Sequence, residues 1–334
     1  MFVSAIVAAL ISAASAAVLR WWAKKRNILN KVGRLLQESK RPLPPVGGVA
    51  LALGFIGGVT AWSIIGGWRW TEPWVSLALA SAVIFIVGLV DDFCRELSPW
   101  QKLLGQGFAW MLLLPGGIMS HIVMLPTWAN LLVSFLWTVG IINAFNLLDI
   151  ADGLAIGIGL IATATFFVLS VFAHQIALAG LLMVVGGTLL GVLGFNFPRA
   201  TLFLGDSGSL LLGLWLAALS LAISYAPLGR EVALFTPLAV LGLPVYDLAF
   251  VTVVRLGQKR SIFQKSSDHF VFRLIRQGWS PAKAVLAMFG FGLAFSGAAL
   301  VISRASNLFG ALMVGIVLTA ALWWARRLAK LPMG

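Results

Sequence analysis

Charge is scarce in this chain: Asp, Glu, Lys and Arg together make up a tenth of its 334 residues, against 60% apolar residues. Soluble domains carry about a quarter charged residues, so a water-exposed globular protein of ordinary composition is excluded. Cysteine is nearly absent. The single one, Cys94, excludes an intrachain disulfide and reads as a small packing residue. With only three histidines, the chain holds no Cys/His cluster at metal-ligand spacing. Low-complexity tracts and convincing internal repeats are also missing, and no stretch has the composition of a separate soluble domain. The net charge of +13 would suit nucleic acid only on a basic soluble face, which the sequence lacks.

What the chain has instead is long charge-free runs. Eleven are long enough to cross a bilayer, near 1–19, 47–66, 74–90, 103–119, 128–145, 154–173, 176–195, 208–226, 232–254, 284–303 and 306–325. Only the ninth contains a charged residue, Asp247, and the fourth is interrupted by Pro115 and could be shorter. The pattern predicts an all-α integral membrane protein, one polytopic domain over 1–334 with about 10–11 transmembrane helices.

Basic residues follow the first run rather than precede it, the order of an uncleaved first span with its N-terminus outside. In that orientation the inside segments hold eight basic residues in 20–41, two in 91–102, Arg199, seven in 255–283 and three in 326–330. That is 21 of the 24, and only Arg69, Arg230 and Arg304 fall outside. The positive-inside rule therefore predicts a cytoplasmic C-terminus, and the net charge reads as a topology signal with attraction to anionic headgroups.

The eleven acidic residues are not scattered. Eight fall on the predicted cytoplasmic side, and polar clusters return to it every two spans: Asp91–Asp92, then Asn146, Asp149 and Asp152, then Asp206, then Asp268–His269. Each cluster has a plain structural reading. Asp91 and Asp92 could end a helix, but two anions at a helix C-terminus oppose its dipole unless a cation such as Arg95 or Lys102, or a metal, offsets them. Asn146, Asp149 and Asp152 recur every three residues and would form a polar stripe on one helix face, whereas capping the next span needs only one of them.

Asp206 lies in FLGDSGSLLLG, a glycine-rich turn before a span. Such a turn offers N–H groups to an anion, and the carboxylate can hold a hard cation. The serine of GDSG resembles a protease nucleophile loop, but no extracellular β-barrel accompanies it, so Ser207 is a poor nucleophile candidate. In the basic segment 255–283, His269 and Arg273 are four apart, a spacing that would let them grip a diphosphate from one helix face. The competing reading is a lipid-facing amphipathic loop built on Phe263, Phe270 and Phe272. His121 and His174 lie in or near outside loops and look incidental.

Six stretches, in order and with the expected spans between them, carry a family resemblance: RPLPPVGGVAL, VDDFCRELSPWQKLLGQ, NAFNLLDIADGLA, FLGDSGSLLLG, GLPVYDLAF and RSIFQKSSDHFVFRLIRQG. Over nearly its whole length the chain resembles the polyprenyl-phosphate N-acetylhexosamine-1-phosphate transferases of bacterial envelope synthesis. The resemblance implies transfer of a sugar 1-phosphate from a UDP-HexNAc, such as UDP-GlcNAc, to undecaprenyl phosphate. The products are undecaprenyl-diphospho-sugar and UMP, and the cofactor is Mg²⁺, with Mn²⁺ as the alternative.

It further implies that Asp206 and Asn146 ligate the metal and that Asp91, Asp92 and Asp206 are catalytic. Lys102, His269 and Arg273 are expected to contact phosphates, and Asn143, Asp149 and Asp152 the nucleotide sugar, with Asp152 near the uracil. Asp91 has two open roles, deprotonating the lipid phosphate or orienting it. Asp247 is included in the resemblance, with a role that could be structural, such as pairing with Arg255 or another cation. The implied setting is the bacterial inner membrane, multi-pass, with the site facing the cytoplasm and a homodimer as a candidate assembly.

Two departures stand out. Ile150 replaces the usual glycine after the first aspartate of the NxxDGxDG stretch, and a Cβ there limits how closely a nucleotide can approach the backbone. His269 is alone where many members have two or three histidines. This loop is closer to the O-antigen and teichoic-linkage branches than to the peptidoglycan branch.

Three rivals fit less well. A Mg²⁺-dependent intramembrane prenyltransferase needs repeated aspartates at wider spacing, and a phosphatidyl-alcohol transferase needs a motif that is missing. A transporter or lipid flippase places its coupling charges at the midplane, whereas here nearly all lie at one face.

Overall fold

The computed structural model describes residues 1–29, 42–66, 68–225, 229–259 and 268–329. Phe263 and the basic residues Lys31, Arg34, Lys40, Arg41, Arg260, Lys265 and Lys330 lie outside the described residues. Among the described residues the regular structure is entirely helical. The chain divides into two compact units, Met1–Ile223 and Ser224–Gly334.

The first unit contains α1 (Phe2–Lys25), α2 (Gly47–Gly66), α3 (Glu72–Leu89), α4 (Pro99–Leu113), α5 (Thr127–Leu148), α6 (Leu154–Phe172), α7 (Ile176–Asn196) and α8 (Gly205–Ala222). The second contains a 3₁₀ turn (Glu231–Phe235), α9 (Thr236–Val240), α10 (Gly242–Gly257), α11 (Phe270–Arg276), α12 (Pro281–Arg304) and α13 (Asn307–Ala329). Among the described residues nine helices are long and apolar enough to cross a membrane, or ten if the bent pair around Leu241 counts as one span.

Helices are the expected outcome, because in hydrocarbon each segment must satisfy its own backbone polar groups. How they pack follows from side-chain size. The buried stripe of α1 is Ser4, Ala8, Ser12 and Ala16, at four-residue spacing, and it seats α1 on α2 and α7. Small residues let helix backbones approach closely where no hydrophobic force drives association within lipid, and Ser12 Oγ donates to the Thr188 carbonyl at 2.9 Å across that contact. The centre of the unit is α8, buried on nearly all sides between α3, α5 and α2. Its Trp215 stacks on Phe55 at 4.5 Å and donates its indole N–H to Ser81 Oγ at 3.0 Å.

Two predicted spans come out differently. The fourth, 103–119, is only the 15-residue α4, which at 1.5 Å per residue reaches about 22 Å, short of the hydrocarbon core of about 30 Å. Pro115 and Gly117, the latter at φ +68°, stop the helix. The irregular chain that follows is satisfied by Asn130 of α5, whose amide accepts from Ile122 N (2.8 Å) and donates to the Ile122 and Leu125 carbonyls (3.1 Å each). The ninth span, 232–254, is broken, with α10 turned 75° from the segment before it. Pro244 has no N–H to give to the carbonyl four residues earlier, so it fits only the first turn of a helix; the chain breaks at Leu241 and a new helix starts at Gly242.

In the first unit one end is aromatic and the other polar. Trp62, Trp68 and Trp74, between the end of α2 and the start of α3, form a ring cluster with centroids 4.4 and 5.3 Å apart. Such a cluster suits a membrane–water interface. The polar residues gather at the other end of α3.

Candidate active site

The last turn of α3 widens into a π-helical turn, Val90–Cys94, closed by a bond from Arg95 N to the Val90 carbonyl at 3.0 Å. Such turns are frequent at functional sites, and this one carries Asp91 and Asp92 on adjacent residues with different tasks. Asp92 faces the start of α8: one oxygen accepts from Asp206 N at 2.8 Å, and the other accepts from Ser207 N at 2.9 Å and Ser207 Oγ at 2.6 Å. The first N–H groups of a helix lack intrahelical partners and lie at the positive end of its dipole. The anion that the glycine-rich turn attracts is therefore the protein's own Asp92.

The backbone makes room for this clamp. Gly88 of α3 lies so close to α8 that a Cβ would fall 2.3 Å from Ser207 Cα, and Gly205 has φ +76° with a Cβ position 2.5 Å from Asp92 Oδ2. Gly205→Ala should therefore destabilise the protein by about 1–2 kcal/mol from backbone strain alone. The check is a lowered thermal unfolding midpoint; an unchanged midpoint would mean that the turn relaxes without loss.

Asp91 points elsewhere. It accepts from Leu97 N at 2.7 Å and pairs with Lys102 Nζ at 2.8 Å. Lys102, in the first turn of α4, also bonds Asp206 Oδ2, so one ammonium joins the carboxylates of α3 and α8. Burial acts to lower the pKa of Lys102, but Asp206 and then Asp91 outweigh it and hold it above its ordinary value, so this cation is charged at neutral pH. Lys102 is the cation that the adjacent carboxylates call for. All three side chains keep some exposure, 11% for Asp91, 20% for Lys102 and 24% for Asp206, so a substrate can reach them.

The α5–α6 junction borders the same end. Asn146 donates from Nδ2 to Ser209 Oγ of α8 at 3.0 Å, which directs its carbonyl Oδ1 away from that bond. Asn143, one turn earlier, exchanges amide hydrogen bonds with the buried Gln106 of α4 (2.7 and 3.3 Å) and donates to the Val139 carbonyl. Its amide thus ties α4 to α5.

The expected Asn146–Asp149–Asp152 stripe is not continuous. α5 ends at Leu148, Asp149 is buried at its C-terminus, and Asp152 sits in the turn before α6, where Gly153 takes φ +76°. Asp152 is exposed and accepts from Ala200 N at 2.9 Å, pinning the turn after α7. Ile150 is half-buried beside it.

A second cluster lies wholly within the Ser224–Gly334 unit. Asp247, buried in α10, accepts from His269 Nδ1 at 2.7 Å and from Phe270 N at 3.0 Å. Its partner is thus the histidine; Arg255 instead lies near Asp268, at 3.9 Å. Arg273 donates from Nε to the Asp268 carbonyl at 3.1 Å and lies 4.9 Å over the Phe250 ring. His269 is the N-cap residue of α11 and Arg273 lies in its last turn. Phe270 and Phe272 are buried, so α11 does not lay its phenylalanines in lipid. Packing on α10 explains the difference, since Phe270 stacks with Tyr246 at 4.8 Å and lies 4.7 Å from Phe250.

The structure thus brings Asp91, Asp92, Lys102, Asn146 and Asp206 to one end of the first unit, and His269 with Arg273 into one cluster of the second. Sequence reasoning missed Gln106, Ser209 and the use of Ser207 as a hydrogen-bonding partner of Asp92. Only Gln106 left a trace, four residues after Lys102 and so on the same face of α4. Among the described residues no three His, Cys, Asp or Glu side chains form a ready-made metal cage. Asp206 and the Asn146 carbonyl nonetheless suit Mg²⁺, a hard cation usually bound through one or two carboxylates, with water and substrate phosphates completing its shell.

Fold and site together define a polytopic helical membrane protein with a carboxylate–lysine cluster at one end of its first unit. Residues 74–224 match the family described as Glycosyl transferase family 4. The chain is 31% identical to a probable undecaprenyl-phosphate N-acetylglucosaminyl 1-phosphate transferase of Bacillus subtilis, over 84% of this chain and 80% of the relative. It is 32% identical to a decaprenyl-phosphate N-acetylglucosaminephosphotransferase of Mycobacterium tuberculosis, over 92% and 85%. It is 29% identical to a phospho-N-acetylmuramoyl-pentapeptide-transferase of Listeria monocytogenes, over 78% and 84%. The chain belongs to this family of polyprenyl-phosphate sugar-1-phosphate transferases.

Proposed function

We propose that the protein transfers N-acetylhexosamine 1-phosphate, with GlcNAc 1-phosphate the first candidate, from a UDP-linked donor to undecaprenyl phosphate. This is an initiating step of envelope glycan synthesis, on the cytoplasmic side of a bacterial inner membrane. The observation that supports it most directly is the Asp91–Lys102–Asp206 cluster, all of it inside the matched segment 74–224. Relatives with GlcNAc-phosphotransferase names favour that sugar, as does the single His269. The charge distribution supports the orientation.

In the reaction a phosphate oxygen of the lipid forms a bond to the sugar-bearing phosphorus of the donor. The bond from that phosphorus to the bridging oxygen breaks, and UMP leaves with the electron pair. One phosphoanhydride replaces another, so no ATP is needed. The lipid phosphate is already ionised near neutral pH, which makes positioning and charge neutralisation the main demands.

Mg²⁺, held by Asp206 and the Asn146 carbonyl, would supply the charge neutralisation at the diphosphate. Lys102 adds a fixed cation beside it. Asp91, tethered by Leu97 N and Lys102, orients the incoming phosphate, and Asp92 holds Asp206 in place from behind. Asp149 and Asp152 border the nucleotide; within the Ser224–Gly334 unit, the buried His269 and Arg273 are the candidates for phosphate contact.

Purified protein with undecaprenyl phosphate, Mg²⁺ and a panel of UDP-sugars tests the reading. UMP and a lipid-linked sugar should appear in equal amounts with UDP-GlcNAc or another UDP-HexNAc, and EDTA should stop both. A folded protein that releases no UMP from any UDP-HexNAc would refute it.

A further inference from the structure

Asp247 lies in the apolar α10, two per cent exposed, and a carboxylate in such a place must justify its desolvation. Both of its oxygens are directed at two consecutive residues, one at the His269 ring and one at the backbone of Phe270. His269 is the N-cap residue of α11, yet its own side chain makes no capping bond. The cap therefore comes from another helix, and it also binds the histidine. Neighbours on α10 complete the grip, with Tyr246 and Phe250 packing on Phe270 and Phe250 lying under Arg273.

Chemistry assigns the proton at this pair. A carboxylate can only accept, so a 2.7 Å contact with Nδ1 requires Nδ1 to carry the hydrogen. Nε2 is then the ring nitrogen left for a ligand, as a lone pair in the neutral ring or as a donor in the imidazolium. We propose that Asp247 is a positioning residue that fixes His269, itself only 1% exposed, as its Nδ1–H form and so leaves Nε2 as the one ring nitrogen that can meet a substrate phosphate oxygen. The phosphate in this statement rests on the transferase reading above, whereas the tautomer does not.

Asp247→Asn separates positioning from simple stapling. The Asn carbonyl can still accept from Phe270 N, but its NH₂ group then faces Nδ1 and favours the opposite tautomer, with hydrogen on Nε2. The chain has three histidines, so ¹⁵N-histidine labelling, with His121 and His174 assigned by substitution, resolves the His269 ring. Wild-type protein should show Nδ1–H, and Asp247→Asn should show Nε2–H with a thermal midpoint near that of wild type.

Turnover should fall about 10- to 100-fold, the effect common for partners that orient a working histidine. In a His269→Ala background, Asp247→Asn should cost less than about twofold more, because the residue it acts through is gone. An unchanged tautomer, or a full additional loss in the His269→Ala background, overturns the proposal. If wild type releases no UMP from any donor, the transferase reading fails by itself, and the tautomer comparison still decides the role of Asp247.

Discussion

Asp206→Ala should lower UMP release by about 10³-fold or more, with little change in folding. Removing one preorganised electrostatic group from a reacting centre commonly costs 10²–10³ in rate, and Asp206 has two duties. It is the carboxylate of the proposed metal set, and it is a partner of Lys102. Its side chain is a quarter exposed and it lies at the start of α8 rather than in its packed middle. Lys102 keeps Asp91 as a partner in the variant, so the thermal midpoint should move little.

Asp206→Asn keeps the shape and one ligating oxygen but loses the charge, and should recover part of the activity only at raised Mg²⁺. The comparison is steady-state UMP release against Mg²⁺ concentration, with melting curves on the same preparations. An Asp206→Ala protein that retains more than about a tenth of wild-type turnover would remove Asp206 from the metal site.

Asp92→Ala is expected to act through stability. Its carboxylate accepts three hydrogen bonds at the head of α8, and its loss leaves two backbone N–H groups and a hydroxyl short of an acceptor in a part-buried place. Each orphaned group costs about 1–3 kcal/mol, so a total near 3 kcal/mol or more is expected. Activity should fall with it, because Asp206 is carried on the turn that Asp92 holds.

Ser207→Ala removes only one of the three bonds and should cost about 1 kcal/mol. Asp92→Asn, which keeps one acceptor oxygen, should fall between the two. Thermal unfolding of the three variants beside their turnover tests the order. An Asp92→Ala protein that melts with wild type yet is inactive would show that Asp92 meets the substrate directly rather than through α8.

These two aspartates show where sequence reading stops. Asp91 and Asp92 are neighbours with the same chemistry, and nothing local separates them. The π-helical turn does, by pointing one at Lys102 and the other at the N-terminus of α8, 114 residues away. Asn143 and Asn146 are a similar pair. One amide is occupied by Gln106, a residue of another helix, and the other bonds Ser209. Asp247 needed a cation-like partner by its cost alone, but the choice of His269 over Arg255 depended on how α11 docks on α10.

The membrane class, the helices and, within the first unit, the gathering of Asp91–Asp92, Asn146 and Asp206 at one end followed from the sequence alone. Their causes are local: charge-free runs form helices because hydrocarbon offers no other partner for the backbone, and clusters two spans apart return to the same end. Tertiary structure alone decided which carboxylate caps, which pairs with a cation and which orients a histidine. Those outcomes depend on hydrogen bonds between distant helices, and such bonds are set by close packing, which no local pattern encodes.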